Sequence, residues 1–177
     1  MLRIEIDMTE SPKFKEKMDI TVEEHHKAVA SKLVSLVRWL ENELGEERAH
    51  QVFSDWAEKE SVESVRELIE KLEEPIEDFE DVKILLREWI RDINENNLED
   101  VSITEETATS STCMVDACIH AKVFRDLDAE DIGYLLYCKH DFAAAPAIHP
   151  KVALKRTKTR MEGDEVCDFV YYWTESP

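Results

Sequence analysis

The last third of the chain concentrates residue types that do chemistry. From Cys118 to Trp173 it carries three of the four cysteines and a cluster of basic residues, in a protein that is otherwise strongly acidic. Cys118-Ile119-His120 and Cys138-Lys139-His140 each set a thiol and an imidazole two residues apart, with His149 and Cys167 further on. Such a set suits either nucleophilic thiol chemistry or a Cys/His zinc site. None of the pairs has the spacing of a zinc knuckle or of an HExxH helix, so no metal is assigned. Apolar residues concentrate in the same stretch, which points to a lined cavity.

Alternation along 152–160 puts Val152, Leu154, Arg156, Lys158 and Arg160 on one face of a strand. Arg156 then stands at the inner edge of the core, where a planar guanidinium can grip a carboxylate in bidentate fashion. The competing reading is a charged edge strand that discourages sheet-to-sheet association. Cys167 and Asp168 point to opposite faces of the following strand. A buried cysteine is usually a small hydrophobe, and catalytic use requires a neighbouring cation or helix N-terminus. His26 falls within the apolar stripe of the first helix, where a packing role is expected.

Those residues must be held by a fold. The 177 residues are 43% hydrophobic, enough for a sizeable core, and favour one domain, with a helical part over about 20–94 and a sheet-containing part over about 98–174. Thr21-Val22-Glu23-Glu24 has the form of a capping box, followed by Val22, His26, Val29, Leu33, Leu36, Leu40 and Leu44 at helical spacing and a stop at Gly45. Further helices are predicted over 46–59, from a Ser61 cap to Leu72, and over Phe79–Ile93. The period then changes: Val101 and Ile103 alternate with Ser102 and Thr104, and 112–118 is strand-like. Helix spacing returns over 124–138, with a loop or short helix over 143–150. Strands follow over 151–161 and 166–173, joined by a turn at Glu162-Gly163-Asp164. Helices first, then strands with helices inserted, predict an α+β fold with a small antiparallel sheet.

Composition excludes several function classes. A net charge of -19 opposes nucleic-acid binding through a basic surface and docking on anionic lipid. Three glycines provide no phosphate-cradling loop, and there is no GxSxG elbow, so nucleotide cofactors are not expected. Met1–Thr9 alternates apolar and polar residues and reads as a short strand or extended arm, not a signal peptide. No apolar run approaches the ~20 residues of a membrane span. The cysteines form no CxxC pair, and a cytoplasmic protein is expected. Trp39, Trp56 and Trp89 offer more apolar surface than a small sheet needs, which points to a homodimer.

Taken together, Glu43-Leu44-Gly45-Glu46-Glu47, Cys118-x-x-Ala121-x-x-Phe124-Arg125-x-Leu127, Gly133-Tyr134-Leu135, Cys138-x-x-Asp141-Phe142, Pro150-Lys151, Arg156-Thr157-Lys158-Thr159 and Met161-x-Gly163-Asp164-x-x-Cys167-Asp168 resemble the L-2-amino-thiazoline-4-carboxylic acid hydrolase family. The match is strong over Cys118–Trp173 and weak over the N-terminal helices. Ile148-His149-Pro150 departs from the Phe-Asn-Pro expected there. The resemblance implies a hydrolase that opens a cyclic isothiourea to N-carbamoyl-L-cysteine without a cofactor. It implies that Cys118 or Cys167 attacks the amidine carbon or positions water, and that Asp141 or Asp168 pairs with the amidinium and moves protons. Arg156 would hold the substrate carboxylate, with Thr157, His149 and Tyr134 also around the small-molecule substrate. The C-terminal arrangement also resembles small-molecule-binding domains of the vinyl reductase type, which leaves a sensor without catalysis as the alternative.

Overall fold

The computed structural model describes residues 20–175; the Met1–Thr9 arm lies outside them. Helices come first: α1 (Val22–Leu44), α2 (Glu46–Ile69) and α3 (Phe79–Glu95). Strands β1 (Glu99–Glu106) and β2 (Ser110–Cys118) follow, then α4 (Ile119–Arg125), α5 (Glu130–Gly133), a π-helical turn at Tyr134–Cys138 and α6 (Asp141–Ile148). Strands β3 (Val152–Lys155) and β4 (Cys167–Trp173) complete an antiparallel sheet of order β1-β2-β4-β3. The architecture is α+β, with helices both preceding the sheet and inserted between its strands. Among the described residues no helix is long and apolar enough to cross a membrane.

The local signals act as physical chemistry dictates. The Thr21 hydroxyl accepts from the Glu24 N–H at 3.1 Å, and the Glu24 carboxylate takes the Thr21 N–H at 2.8 Å. Asp78 and Asp81 build a second capping box at the start of α3. The chain breaks at Gly45, and α2 then runs through Ser61, where two helices were expected. Ser61 caps nothing because it falls in the same i+4 stripe as Phe53, Ala57, Val65 and Ile69, and nothing nearby disfavours helix. The segment 124–138 breaks into α4, α5 and the π turn, where one helix was expected.

The expected long strand over 151–161 is the informative departure. Pairing ends at Lys155, opposite Val170. Beyond it the backbone donors are taken by side chains of the next segment. The Asp168 carboxylate accepts the N–H groups of Thr157 (2.8 Å) and Lys158 (2.6 Å). Asp164 accepts the N–H of Thr159 at 2.8 Å, and the Cys167 sulfur accepts that of Arg160 at 3.2 Å. Four successive donors satisfied this way cannot also serve a ladder. The loop closes through a 3-10 turn at Arg160–Glu162 that ends on Gly163 at φ 100°, a left-handed conformation that suits glycine.

Three groups of buried side chains surround this frame. One lies among α1, α2 and α4–α5 around Val37, Phe53, Phe124 and Ile132. A second joins α3, α6 and β3 through Phe79, Val82, Leu86, Ile148 and Val152. The third, Val101, Cys113, Val115 and Cys167, is one face of the sheet, with Ile90 and Ile93 of α3 against it. Trp89 packs into the second group, whereas Trp39 and Trp56 are exposed.

At Gly133 the limit is space. A Cβ there would meet the Phe124 side chain at 2.6 Å and the Met161 sulfur at 2.7 Å. Gly133→Ala is expected to destabilise the protein by about 1–3 kcal/mol, the usual range for overpacking. Denaturant unfolding measures it, and an unchanged midpoint would contradict the close approach.

Candidate functional site

The inner face of the sheet, α4, the π turn, α6 and the 156–161 loop enclose a cavity of about 260 Å³. Strand alternation supplies Cys167, Phe169 and Tyr171 from β4, Val115 from β2 and Glu99 from the start of β1. Cys118 and His120 enter from the junction of β2 and α4, Tyr137 and Cys138 from the π turn, and Asp141 from the first turn of α6. The loop adds Arg156, Thr159, Arg160 and Met161. Cys118, Cys167, Asp141 and Arg156, far apart in sequence, thus share one wall-to-wall space.

Two polar pairs dominate it. Cys118 donates its thiol proton to Glu99 Oε1 at 3.3 Å. Burial pushes the Cys118 thiol well above its ordinary value and the Glu99 charge adds to this, while the backbone N–H groups of His120 and Ala121 pull the other way. Burial also raises the Glu99 carboxyl, against the hydrogen bond from Cys118. The pair is therefore a thiol with a strengthened base in contact, not a pre-formed thiolate.

The second pair is Arg156 and Asp141. Arg156 Nη1 donates to Asp141 Oδ2 at 2.6 Å and Nη2 to the Cys138 carbonyl at 3.0 Å. Its guanidinium lies over the Phe142 ring at 5.1 Å and over the Phe169 ring at 5.2 Å, so two aromatic faces meet the charge. Its side chain is only 3% exposed, against 24% for Asp141. Burial raises the Asp141 carboxyl to about 7 although Arg156 opposes it. Asp141 can thus exchange a proton near neutrality, a property suited to acid–base work.

Thr159, buried, links the other two thiols: its hydroxyl donates to the Cys138 sulfur at 3.8 Å and accepts from Cys167 at 3.9 Å. Burial raises Cys138 to about 12 and also raises Cys167, which Arg160 N–H, Thr159 and Arg156 partly offset. His120 stacks on Tyr137 at 3.8 Å between centroids and meets His26 edge-on at 5.3 Å. Burial, with His26 beside it, lowers the His120 imidazole to about 4, so it is neutral at physiological pH.

Four other expected site residues lie outside the cavity lining. Asp168 is on the opposite face of β4, where its carboxylate fastens the 157–158 backbone. Burial raises its pKa but the hydrogen bonds from Thr157 and Lys158 outweigh this and leave it below its ordinary value. Thr157 is exposed and gives its hydroxyl to Asp168. His149 stacks on Trp173 at 4.6 Å and accepts the Lys151 N–H. Tyr134 lines a separate depression with Arg125, Asp131 and Gly163. Conversely, Glu99, Tyr137 and Tyr171 belong to the cavity although none was singled out. Glu99 left a signal: it has the parity of Val101 and Ile103, an acid on an apolar face.

No two of the Cys-x-His pairs gather as metal ligands. His140 Nε2 is bound to the Leu136 carbonyl. Among the described residues the only set of three or more His, Cys or carboxylate side chains with donor atoms within 4.8 Å of one another is Glu41, His50 and Asp131. Arg38 already holds both of those carboxylates, at 2.7 and 2.9 Å, so the cluster is satisfied as an ion-pair network. A larger groove of about 560 Å³ beside Leu72, Ile76 and Ile84 is rimmed by Glu74, Glu77, Asp81 and Glu88 and brings no reactive group.

The fold is of the α+β class, with a polar cavity on the inner face of the sheet. A solved structure described as the "crystal structure of the phenol-responsive sensory domain of the transcription activator PoxR with Phenol" shares the fold at TM-score 0.52 and 15% identity, covering 89% of this chain and 77% of that one. The family is settled by sequence: the family model described as L-2-amino-thiazoline-4-carboxylic acid hydrolase matches residues 23–171, and the chain belongs to that family. Comparison with curated proteins gives no match.

The Cys118–Glu99 contact has a measurable signature. Glu99→Gln removes a negative charge that holds the thiol protonated, so Cys118 is expected to be alkylated faster by iodoacetamide at pH 8. Site-resolved mass spectrometry reads the rate, and an unchanged rate would contradict the pairing.

Proposed function

We propose that the protein is a hydrolase that opens a small cyclic amidine carrying a carboxylate, of the 2-amino-thiazoline-4-carboxylate type. The observation that carries this reading is the convergence of a thiol–carboxylate pair and a guanidinium–carboxylate pair on one small cavity. A protonated cyclic isothiourea with a carboxylate is a zwitterion. Inserted at the Arg156–Asp141 pair, it replaces one internal ion pair by two, amidinium on Asp141 and carboxylate on Arg156, with no buried charge left alone. The guanidinium has five N–H donors, of which the present bonds use two.

In the proposed chemistry Glu99 takes the Cys118 proton as the sulfur adds to the amidine carbon. The ring C–S bond of the tetrahedral adduct breaks, and the departing thiolate takes the proton from Glu99. An S-linked isothiourea remains on Cys118. Glu99, again a carboxylate, takes a proton from water as its oxygen adds to the same carbon. Collapse expels the Cys118 sulfur, which recovers that proton, while the proton of the former amidinium passes to Asp141, and a urea remains. Substrate and one water are consumed, and N-carbamoylcysteine is the product. Of the two cysteines implied by the family resemblance, Cys118 fits better because it has a base in contact, whereas the Cys167 sulfur is bound to Arg160 N–H and Thr159. Asp168, on the outer face, fits a positioning role for Arg156 better than a catalytic one.

One observation favours a second reading, a binding module without catalysis: the fold is shared with a phenol-responsive sensory domain. Turnover separates the two. The thiazoline is expected to yield N-carbamoylcysteine with wild type, with kcat reduced about 10²–10⁴-fold by Glu99→Gln, the span of general acid–base catalysis, and at least as far by Cys118→Ala. No turnover by wild type would leave the binding module as the better account. Full turnover by Cys118→Ala would remove covalent catalysis at this thiol.

The pH profile gives an independent check. A carboxylate must face the amidinium, so kcat/KM is expected to rise with pH through about 7, where Asp141 ionises. In Asp141→Asn that limb should vanish. Its persistence would assign the ionisation to another group.

A further inference from the structure

Beside the polar cavity lies a smaller one of about 90 Å³, between α3 and the sheet. Leu86, Trp89, Ile90 and Ile93 of α3 form its roof, and Val101, Cys113 and Val115 its floor. Five residues line both spaces: Ile93, Glu99, Val115, Phe169 and Tyr171. The two spaces adjoin along the inner face of β4, the polar one from Cys167 onward and both at Phe169 and Tyr171. Phe169 and Tyr171 stand parallel along it, 6.3 Å between centroids and 10° between planes. Arg156 sits over Phe169, so the charged space and the apolar one meet at that ring.

The polar groups are unevenly spread. The larger compartment holds the guanidinium, Asp141, His120 and three thiols. The smaller is apolar except for Glu99, already engaged by Cys118, the Cys113 thiol, the Trp89 indole N–H and the Tyr171 hydroxyl. That hydroxyl has no hydrogen-bond partner among the described residues, and burial pushes it well above its ordinary value. Tyr171 lines both spaces and so stands where they adjoin. An apolar space of this kind is poorly suited to water and well suited to hydrocarbon. Its volume is about three liquid water volumes, room for roughly three or four carbons.

From this division we infer that the natural ligand is a carboxylate with a short apolar tail, the tail lying in the compartment under α3 and the Tyr171 hydroxyl contacting the ligand at the junction. The inference deepens the proposed function and rests on it for the carboxylate at Arg156. The parent thiazoline carboxylate fills only the polar compartment, so an apolar substituent is what this chain selects for.

Straight-chain carboxylates from propanoate to octanoate test the two spaces without requiring turnover. Calorimetric titration is done at pH 6, where Asp141 is largely protonated and releases Arg156. Affinity is expected to rise roughly three- to fourfold per methylene, the factor for burying one CH2, over a few carbons and then level off. Ile90→Phe, which fills the compartment from half-buried α3, should bind the shortest chains as wild type does and level off sooner. Cys113→Met fills it from the floor and serves if the first variant fails a thermal-unfolding check. Failure of every carboxylate to bind, no chain-length dependence in wild type, or the same dependence in the filled variants would overturn the inference. If the thiazoline is not hydrolysed while the increments persist, the proposed reaction falls and the tail compartment stands. If it is hydrolysed while the increments are flat, the reverse holds.

Discussion

The site depends on a single constraint: what happens to the backbone N–H groups after β3. Asp164, Cys167 and Asp168 accept the donors of residues 157–160 and pull the chain out of the sheet. Had those donors continued the ladder with β4, Arg156 and Thr159 would have been ordinary strand residues and the cavity would have been filled. Instead the detour swings Arg156 onto Asp141, lowers Thr159 between two thiols and leaves Cys167, Phe169 and Tyr171 bare on their inner face. An acidic residue outside the cavity thereby controls the position of the cation inside it.

The same economy recurs elsewhere. The π turn widens the backbone so that both Tyr137 and Cys138 face inward, and its terminal carbonyl at Cys138 becomes an acceptor for Arg156. Gly133 precedes it because Phe124 and Met161 leave no room for a side chain, and Met161 is itself part of the cavity wall. Packing of the α4–α5 region and shape of the site are therefore one problem, solved by the same residues.

Much of the scaffold was legible in the sequence because its signals are local. The Thr21–Glu24 capping box, the α1 stripe and the alternation of β1 and β2 each depend on neighbours within a few residues. The fold class followed from their order. Where the reading failed, the deciding interaction was between distant residues or between side chain and backbone. Alternation correctly opposed Cys167 to Asp168, but it could not tell that Asp168 would bind the 157–158 backbone, nor that Arg156 would lie past the end of its strand. The motif residues near 164–168 looked chemical because they are specific, and part of that specificity is architectural. Glu99 was overlooked for the opposite reason. One acid at the start of a strand carries little local signal, and its partner Cys118 lies nineteen residues on.

The internal Arg156–Asp141 pair has a thermodynamic consequence. A simple anion that captures the guanidinium strands the Asp141 carboxylate in a desolvated wall, and the carboxylate is relieved by picking up a proton from solvent. Occupancy by such an anion is then linked to proton uptake and weakens as the medium becomes alkaline. A zwitterion satisfies both partners at once and binds without that proton exchange. The site thus discriminates between ligands of equal size and shape by their charge balance, and ambient pH sets how strict the discrimination is.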